Sequence, residues 1–305
     1  MTFQQLSGER TLWINMVRPG AADVDVLKKT YPYIHPLNLE DMLSVIERPK
    51  IDDDPDYIFV VMQFPVWDAR IRLSRAAEVD FLVGRGFIIT VHDGVLKPLD
   101  QMFNDCRSKL DEKSKLLGGS AGHAFYTMID RLVDYMFPIL RKVEGNLRKV
   151  EEGIFAQEDF QLIRDIALVR RDIIALRRII RHQVPILDNL THKDRRILHE
   201  DLDEYFGDTL DHISLARDMI DEHMEVINGL ADTADMLLNH RLNSIIRVLT
   251  TFSVILLPLT LISSIYGMNI LLPFQDHPSA FGALTVIMIA LVIAMVVYFR
   301  RRRWL

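Results

Sequence analysis

Cysteine is almost absent: Cys106 stands alone among 305 residues. One thiol cannot build a disulfide framework or a multi-cysteine zinc site. Histidine gives zinc no better footing. His192 and His199, like His212 and His223, lack the three- or four-residue spacing of adjacent helical ligands and read as solvated side chains. Phosphate-binding motifs are missing too. Gly84-Arg85-Gly86 has no Lys-Ser/Thr pair after it and reads as a turn between strands. Neither a nucleotide nor a nucleic acid is therefore expected as a partner, and the chain is not expected to be an enzyme. Asp52-Asp53-Asp54-Pro55-Asp56 lacks the spaced ligands and glycine of a calcium loop and reads as an acidic turn. The opening residues, with Glu9 and Arg10 ahead of Thr11-Leu12-Trp13-Ile14, lack the basic start and apolar core of an export signal.

Formal charge is also missing, but only locally. Val248 to Tyr266 gives nineteen uncharged residues and Ala280 to Phe299 gives twenty more. A helix needs about 20 residues, rising ~1.5 Å each, to cross a hydrocarbon core. The connection, residues 267–279, is short enough to force a hairpin and contains no Lys or Arg. Arg241 and Arg247 precede the first span, while Arg300, Arg301, Arg302 and Arg303 follow the second. The positive-inside rule then predicts cytoplasmic termini and an outward loop, and the expected location is the inner (plasma) membrane of a cell. The four arginines act as a topology anchor, and can also place a positive ring near an inner pore mouth or touch anionic lipid. Apolar content of 49% suits a membrane protein with a large soluble part.

Residues 1–117 mix strand and helix signals. Leu12–Val17, Tyr57–Phe64, Val79–Val83 and Phe87–Val91 are strand-like, and Ala21–Tyr31 and Asn38–Ile46 read as short helices. Gly118-Gly119-Ser120 punctuates the chain, and helix dominates afterwards. Apolar residues at steps of three or four predict one long helix from Phe125 to Ile154 and a second from Phe160 to Ile180, joined near Ala156-Gln157-Glu158. Pro185 ends or kinks the second. No proline then appears between Asp208 and Pro258, so one helix can run from Asp208 to Tyr266, about 90 Å. A helix that long needs partners, and a bundle of identical copies supplies them.

Along that helix Asp211, Asp218, Glu225, Asp232 and Asn239 stand seven apart, which keeps them on one face of a supercoiled bundle. Two readings stay open: a solvated charged face, or a column of carboxylates that concentrates hard cations. The same face continues through Asn243, Ile246, Thr250, Ser253, Leu257, Thr260, Ser264 and Gly267, with Leu249 at its edge. Small hydroxyl and amide residues suit a helix that lines water or packs closely on another helix. Polar rings can hold a hydrated ion, and leucine rings can close a pore by dewetting. Magnesium, which sheds its waters reluctantly, fits a path of uncharged polar groups.

The residues now resemble a known family. Tyr266-Gly267-Met268-Asn269, the two-span hairpin and the basic tail ending in Trp304-Leu305 resemble the CorA metal ion transporters. So do Tyr205-Phe206, Asp208, Asp211-His212, Val248-Leu249-Thr250, Pro258-Leu259-Thr260, Trp13-Ile14-Asn15, His35-Pro36-Leu37-Asn38-Leu39-Glu40-Asp41 and Arg48-Pro49-Lys50. The resemblance implies an α+β fold: an N-terminal cytoplasmic α/β domain (1–117), a long-helix funnel and stalk (118–240), and two C-terminal transmembrane helices (241–305). It implies a homopentamer with Asn269 as an outer ring, Asn243, Thr260 and Gly267 lining the path, and Leu249 and Leu257 as an apolar gate. Asp41, with Glu40 beside it, and Asp208 match acidic positions that bind regulatory Mg2+ between subunits. The loop departs from the family: it lacks a Met-Pro-Glu-Leu segment, and Asp276 is its only carboxylate. Either Asp276 supplies the outer negative ring or external capture is weaker. The expected function is passive magnesium influx, driven by membrane potential and gated by internal Mg2+. A zinc, cobalt or nickel transporter, with or without proton coupling, and a non-conducting metal sensor or scaffold are the alternatives.

Overall fold

A computed structural model describes residues 3–44, 47–155, 159–192, 195, 197–198, 202–268 and 279–302. They pack as two compact units, Met1–Ala231 and Asp232–Leu305. In the first, strands β1 (Phe3–Ser7), β2 (Leu12–Val17), β3 (Lys50–Asp53), β4 (Tyr57–Asp68), β5 (Leu73–Gly84) and β6 (Phe87–His92) form one sheet in the order β1-β2-β6-β5-β4-β3. Only β2 and β6 run parallel; the other neighbours are antiparallel. Helices α1 (Ala21–Thr30) and α2 (Pro36–Asp41) intervene between β2 and β3. After the sheet come α3 (Lys97–Ser108), α4 (Leu110–Leu117), α5 (Ala121–Asp134), α6 (Met136–Phe155) and α7 (Asp159–His192). Helix α8 (Asp203–Tyr266) runs for 64 residues, and α9 (Ala280–Arg301) for 22.

Both faces of the sheet are covered, which explains why its central strands are apolar almost without interruption. On one face Ile14, Met16, Phe59, Val61, Leu82, Ile89 and Val91 form a core with Val24 and Leu27 of α1, Leu39 of α2 and Met42. On the other, the Trp13 ring meets Phe103 of α3 at 4.9 Å, and Phe81 meets Phe125 of α5 at 5.3 Å. A polar thread crosses this second face. Trp13 Nε1 donates to Thr90 Oγ1 (2.9 Å), and Thr90 donates to Asn15 Oδ1 (2.7 Å), which lies 3.0 Å from His92 Nε2. Burial lowers His92 to about 4, so the ring is neutral. Its Nδ1 accepts from the Gly94 amide (3.1 Å), which leaves the ring proton on Nε2 for Asn15.

Four expectations need correction. The helix expected from Phe125 to Ile154 is two, α5 and α6, broken at Tyr135. Pro138 has no amide hydrogen for the Asp134 carbonyl, so the ladder cannot continue there. Of the end or kink expected at Pro185, the end is excluded, since α7 continues to His192. Asn38–Ile46 is shorter and earlier than expected: α2 covers Pro36–Asp41, and residues 45–46 lie outside the described residues. His35 caps its start, with Nδ1 accepting from the Leu37 amide (3.2 Å), and Pro36 supplies a fixed first turn. Finally, Asp52 and Asp53 belong to β3 rather than to a turn, which is left to the residues after them.

Candidate functional site

Glu40 and Asp41 are placed by the end of α2, itself anchored by Tyr57 of β4. The Tyr57 hydroxyl accepts from the His35 amide (2.9 Å) and from Asn38 Nδ2 (3.1 Å). Glu40 is exposed. Asp41 already holds a cation: its Oδ2 lies 2.6 Å from Lys50 Nζ, which also reaches Asp52 at 3.1 Å. Burial works to lower Lys50, but its hydrogen bonds to the two carboxylates raise it on balance, so the ammonium stays charged. Any metal at Asp41 must displace it.

In α8, Ile213, Ala216, Ile220, His223 and Ile227 are buried. Contacts from Asp134 of α5, Phe137 of α6 and Arg177 of α7 identify the helices on this side. Asp211, Asp218 and Glu225 precede Ile213, Ile220 and Ile227 by two positions, about 200° around the helix. They and Asp232 are all exposed, on the side away from the buried seam. Asp218 is bonded by its neighbour Arg217 (2.9 Å).

His223 is buried, not solvated, because it falls on the seam; burial lowers its pKa. His212 is half-exposed, and the fold assembles around it a group that its sequence neighbours do not reveal. Asp130 and Asp134 of α5 and His212 of α8 bring ligand atoms within 4.8 Å of one another. Among the described residues His212 Nδ1 has no hydrogen-bond partner, and it lies 3.5 Å from Asp134 Oδ1. Burial, and then the Asp134 charge, raise Asp130; the nearby exposed Asp208 adds to the effect. A cation here would relieve that repulsion. Asp130 and Asp134 stand one helical turn apart, the single signal by which the sequence could have suggested a pair.

In the second unit Thr251 of α8 is buried, and Ile255, Pro258, Leu259 and Ile262 are half-buried. Facing partners on α9 include Met288, whose Sδ lies 3.9 Å from Ser263 Oγ. The sequence-derived pore face points the other way. Asn243, Ile246, Leu249, Thr250, Ser253, Leu257, Thr260, Ser264, Tyr266, Gly267 and Met268 are all exposed within the single chain. Ser253 Oγ donates to the Leu249 carbonyl (3.0 Å) and Thr260 Oγ1 to the Leu256 carbonyl (2.9 Å). With their hydrogens turned into the helix, these hydroxyls offer lone pairs outward. Gly267 adds a last helical bond to the Ser263 carbonyl (2.9 Å). Arg300, Arg301 and Arg302 are exposed at the end of α9. Asn269, Asp276 and Arg303 lie outside the described residues.

Helices α8 and α9 are both long and apolar enough to cross a membrane. A soluble α/β unit and a two-helix apolar hairpin sharing one long helix define a class of integral membrane protein. The chain belongs to the CorA-like Mg2+ transporter protein family, whose profile matches residues 8–301. Cobalt/magnesium transport protein CorA of Thermotoga maritima is 25% identical over 297 residues, 96% of this chain and 83% of that protein. A putative metal ion transporter of Bacillus subtilis is 29% identical over 304 residues, 96% and 89% of the two chains. The solved CorA magnesium transporter of Methanocaldococcus jannaschii superposes with a TM-score of 0.84 at 22% identity, over 97% of this chain and 92% of that one. That likeness shares the whole fold, from the sheet to the C-terminal helices.

Proposed function

We propose that the chain assembles as a homopentamer and works as a passive channel or uniporter for divalent cations, chiefly magnesium entering the cell. The observation that carries this reading is the hydroxyl orientation on α8. A hydrated cation presents water hydrogens, so its path needs acceptors. Ser253 and Thr260 are acceptors on an uncovered face, spaced by Leu249 and Leu257, which can close a pore by dewetting. Asn269 would form the outer ring, with Asp276 beyond it. Two charges crossing 100 mV gain about 4.6 kcal/mol, sufficient to drive uptake without a nucleotide. The functional division follows residues 1–117, 118–240 and 241–305, with both termini in the cytoplasm.

Regulation would come from internal Mg2+ at Asp41, Glu40 and Asp208. A cation bridging carboxylates of neighbouring subunits stabilises only the arrangement that brings them together. A second reading, transport of cobalt, zinc or nickel, is favoured by His212 within the Asp130–Asp134 group, since imidazole suits transition metals. Reconstitution of the full chain in liposomes separates the two. Magnesium flux should appear and fall sharply in Asn269→Ala while assembly persists. Zinc flux without magnesium flux would overturn the main reading, and no flux of any ion would leave a metal sensor.

A further inference from the structure

Between the segment that follows α2 (Met42, Leu43, Ser44), β5 and the end of β6 lies a cavity of about 370 Å³, whose lining shares no residue with the metal-capable group on α5 and α8. Its floor is acidic. Asp80 and Glu78 are two positions apart on β5 and therefore share one face of the strand. Asp80 is only 4% exposed, and its Oδ1 has no hydrogen-bond partner among the described residues. Met42 and Val91 supply apolar walls, and Arg18 and Arg75 complete the lining. Arg18 donates its Nε to the Asp93 carbonyl (2.8 Å), while the ion pairs of Arg75 among the described residues are long, 3.9 Å to both Asp68 and Asp93.

A buried acceptor without a donor is costly, so the floor calls for a donor-bearing occupant. A chelated metal does not fit. Among the described residues, the group of three Asp, Glu or His ligand atoms close enough to hold an ion is Asp130–Asp134–His212, not this one. The arginines disfavour a simple cation and suit an anion at the other end. We propose that this cavity binds a small zwitterion, with an ammonium or guanidinium head on Asp80 and Glu78 and a carboxylate or phosphate several atoms away on Arg18 and Arg75. Met42, Leu43 and Ser44 line the cavity directly after Asp41, so an occupant touches the segment that holds that carboxylate. Binding itself does not depend on the proposed transport activity.

The charges around Asp80 give the site a signature. Burial raises its pKa well above the usual range; Glu78, Asp41 and Glu47 push the same way, and Lys50 opposes them. Arg18, Arg75, Asp93 and the neutral His92 complete the charged and titratable lining. Ionising Asp80 before binding is therefore harder than ionising an ordinary aspartate. A cationic head selects the ionised form, so binding releases a proton and tightens as pH rises.

Calorimetry on the full chain in nanodiscs, free of magnesium, tests this with L-arginine, L-lysine and agmatine, which keeps the guanidinium but lacks the carboxylate. At least one amino acid should bind saturably, once per protomer, with proton release seen as a buffer-dependent heat. Agmatine should bind at least tenfold more weakly than L-arginine. Asp80→Asn should weaken amino-acid binding at least tenfold. Arg75→Gln, at an exposed position that leaves the core intact, should weaken the amino acids and not agmatine. Failure of both amino acids to bind, binding that survives Asp80→Asn, or agmatine binding as tightly as L-arginine would overturn the proposal.

Discussion

Replacing Lys50 with methionine removes the cation that Asp41 now holds, and should make the proposed regulatory site more sensitive to magnesium. The ammonium lies 2.6 Å from Asp41 Oδ2, and the two side chains are 36% and 18% exposed, so water screens the pair only in part. A divalent ion at Asp41 would lie about 5 Å from that ammonium, and at the dielectric of water charges of +2 and +1 repel there by about 1.7 kcal/mol. Breaking a partly exposed ion pair costs about 0.2–1 kcal/mol more. Together these oppose the metal by about 2 kcal/mol, a factor of about 30 in affinity. In proteoliposomes, the magnesium concentration on the soluble-domain side that halves flux should fall about 30-fold in Lys50→Met. Lys50→Arg keeps the charge and should stay near the native value. An unchanged or higher half-inhibiting concentration in Lys50→Met, with flux at low magnesium intact, would refute the competition.

Thr260→Val keeps the shape of the side chain but deletes the acceptor, and a hydrogen bond is worth about 0.5–1.5 kcal/mol net. Magnesium flux should drop about fivefold or more, with Thr260→Ser close to native; equal flux in all three proteins would remove Thr260 from the path. His92 predicts a pH dependence of stability. Its folded value of about 4 lies below the ordinary 6.5, so the unfolded chain takes up the proton first on acidification. The stabilisation is full above about pH 6.5 and is lost as pH falls towards 4, by about 3 kcal/mol in all. Thermal unfolding of the full chain should show this slope, and His92→Gln should flatten it between those limits; an unchanged slope would assign the loss to other groups.

Much of the fold could be read directly because its signals are periodic. β2 matches the run Leu12–Val17, and α8 ends at Tyr266 as the uncharged stretch does. β1 and β3 escaped notice because Phe3-Gln-Gln-Leu-Ser and Lys50-Ile-Asp-Asp53 are short and polar, as edge strands are. The stripe on α8 could be read for the same reason as the helix, since a heptad repeat marks a face whatever the tertiary structure. The pairing of Asp41 with Lys50 and the approach of Asp130 and Asp134 to His212 are different in kind. They depend on where separate elements end in space, and no local periodicity encodes that.

The acidic edge of the sheet has a consequence for how copies can associate. A free strand edge invites a second chain to add its own strand, and repeated addition gives an open fibre. Here one of the two outer strands, β3, carries Asp52 and Asp53, and Arg195 bonds Asp53 at 2.6 Å. Two copies approaching edge to edge would set like charges against each other and would have to break that bond. This edge is thus guarded against growth, whereas the opposite edge, β1 (Phe3-Gln4-Gln5-Leu6-Ser7), carries no charge, so the protection against strand addition lies on one side of the sheet alone.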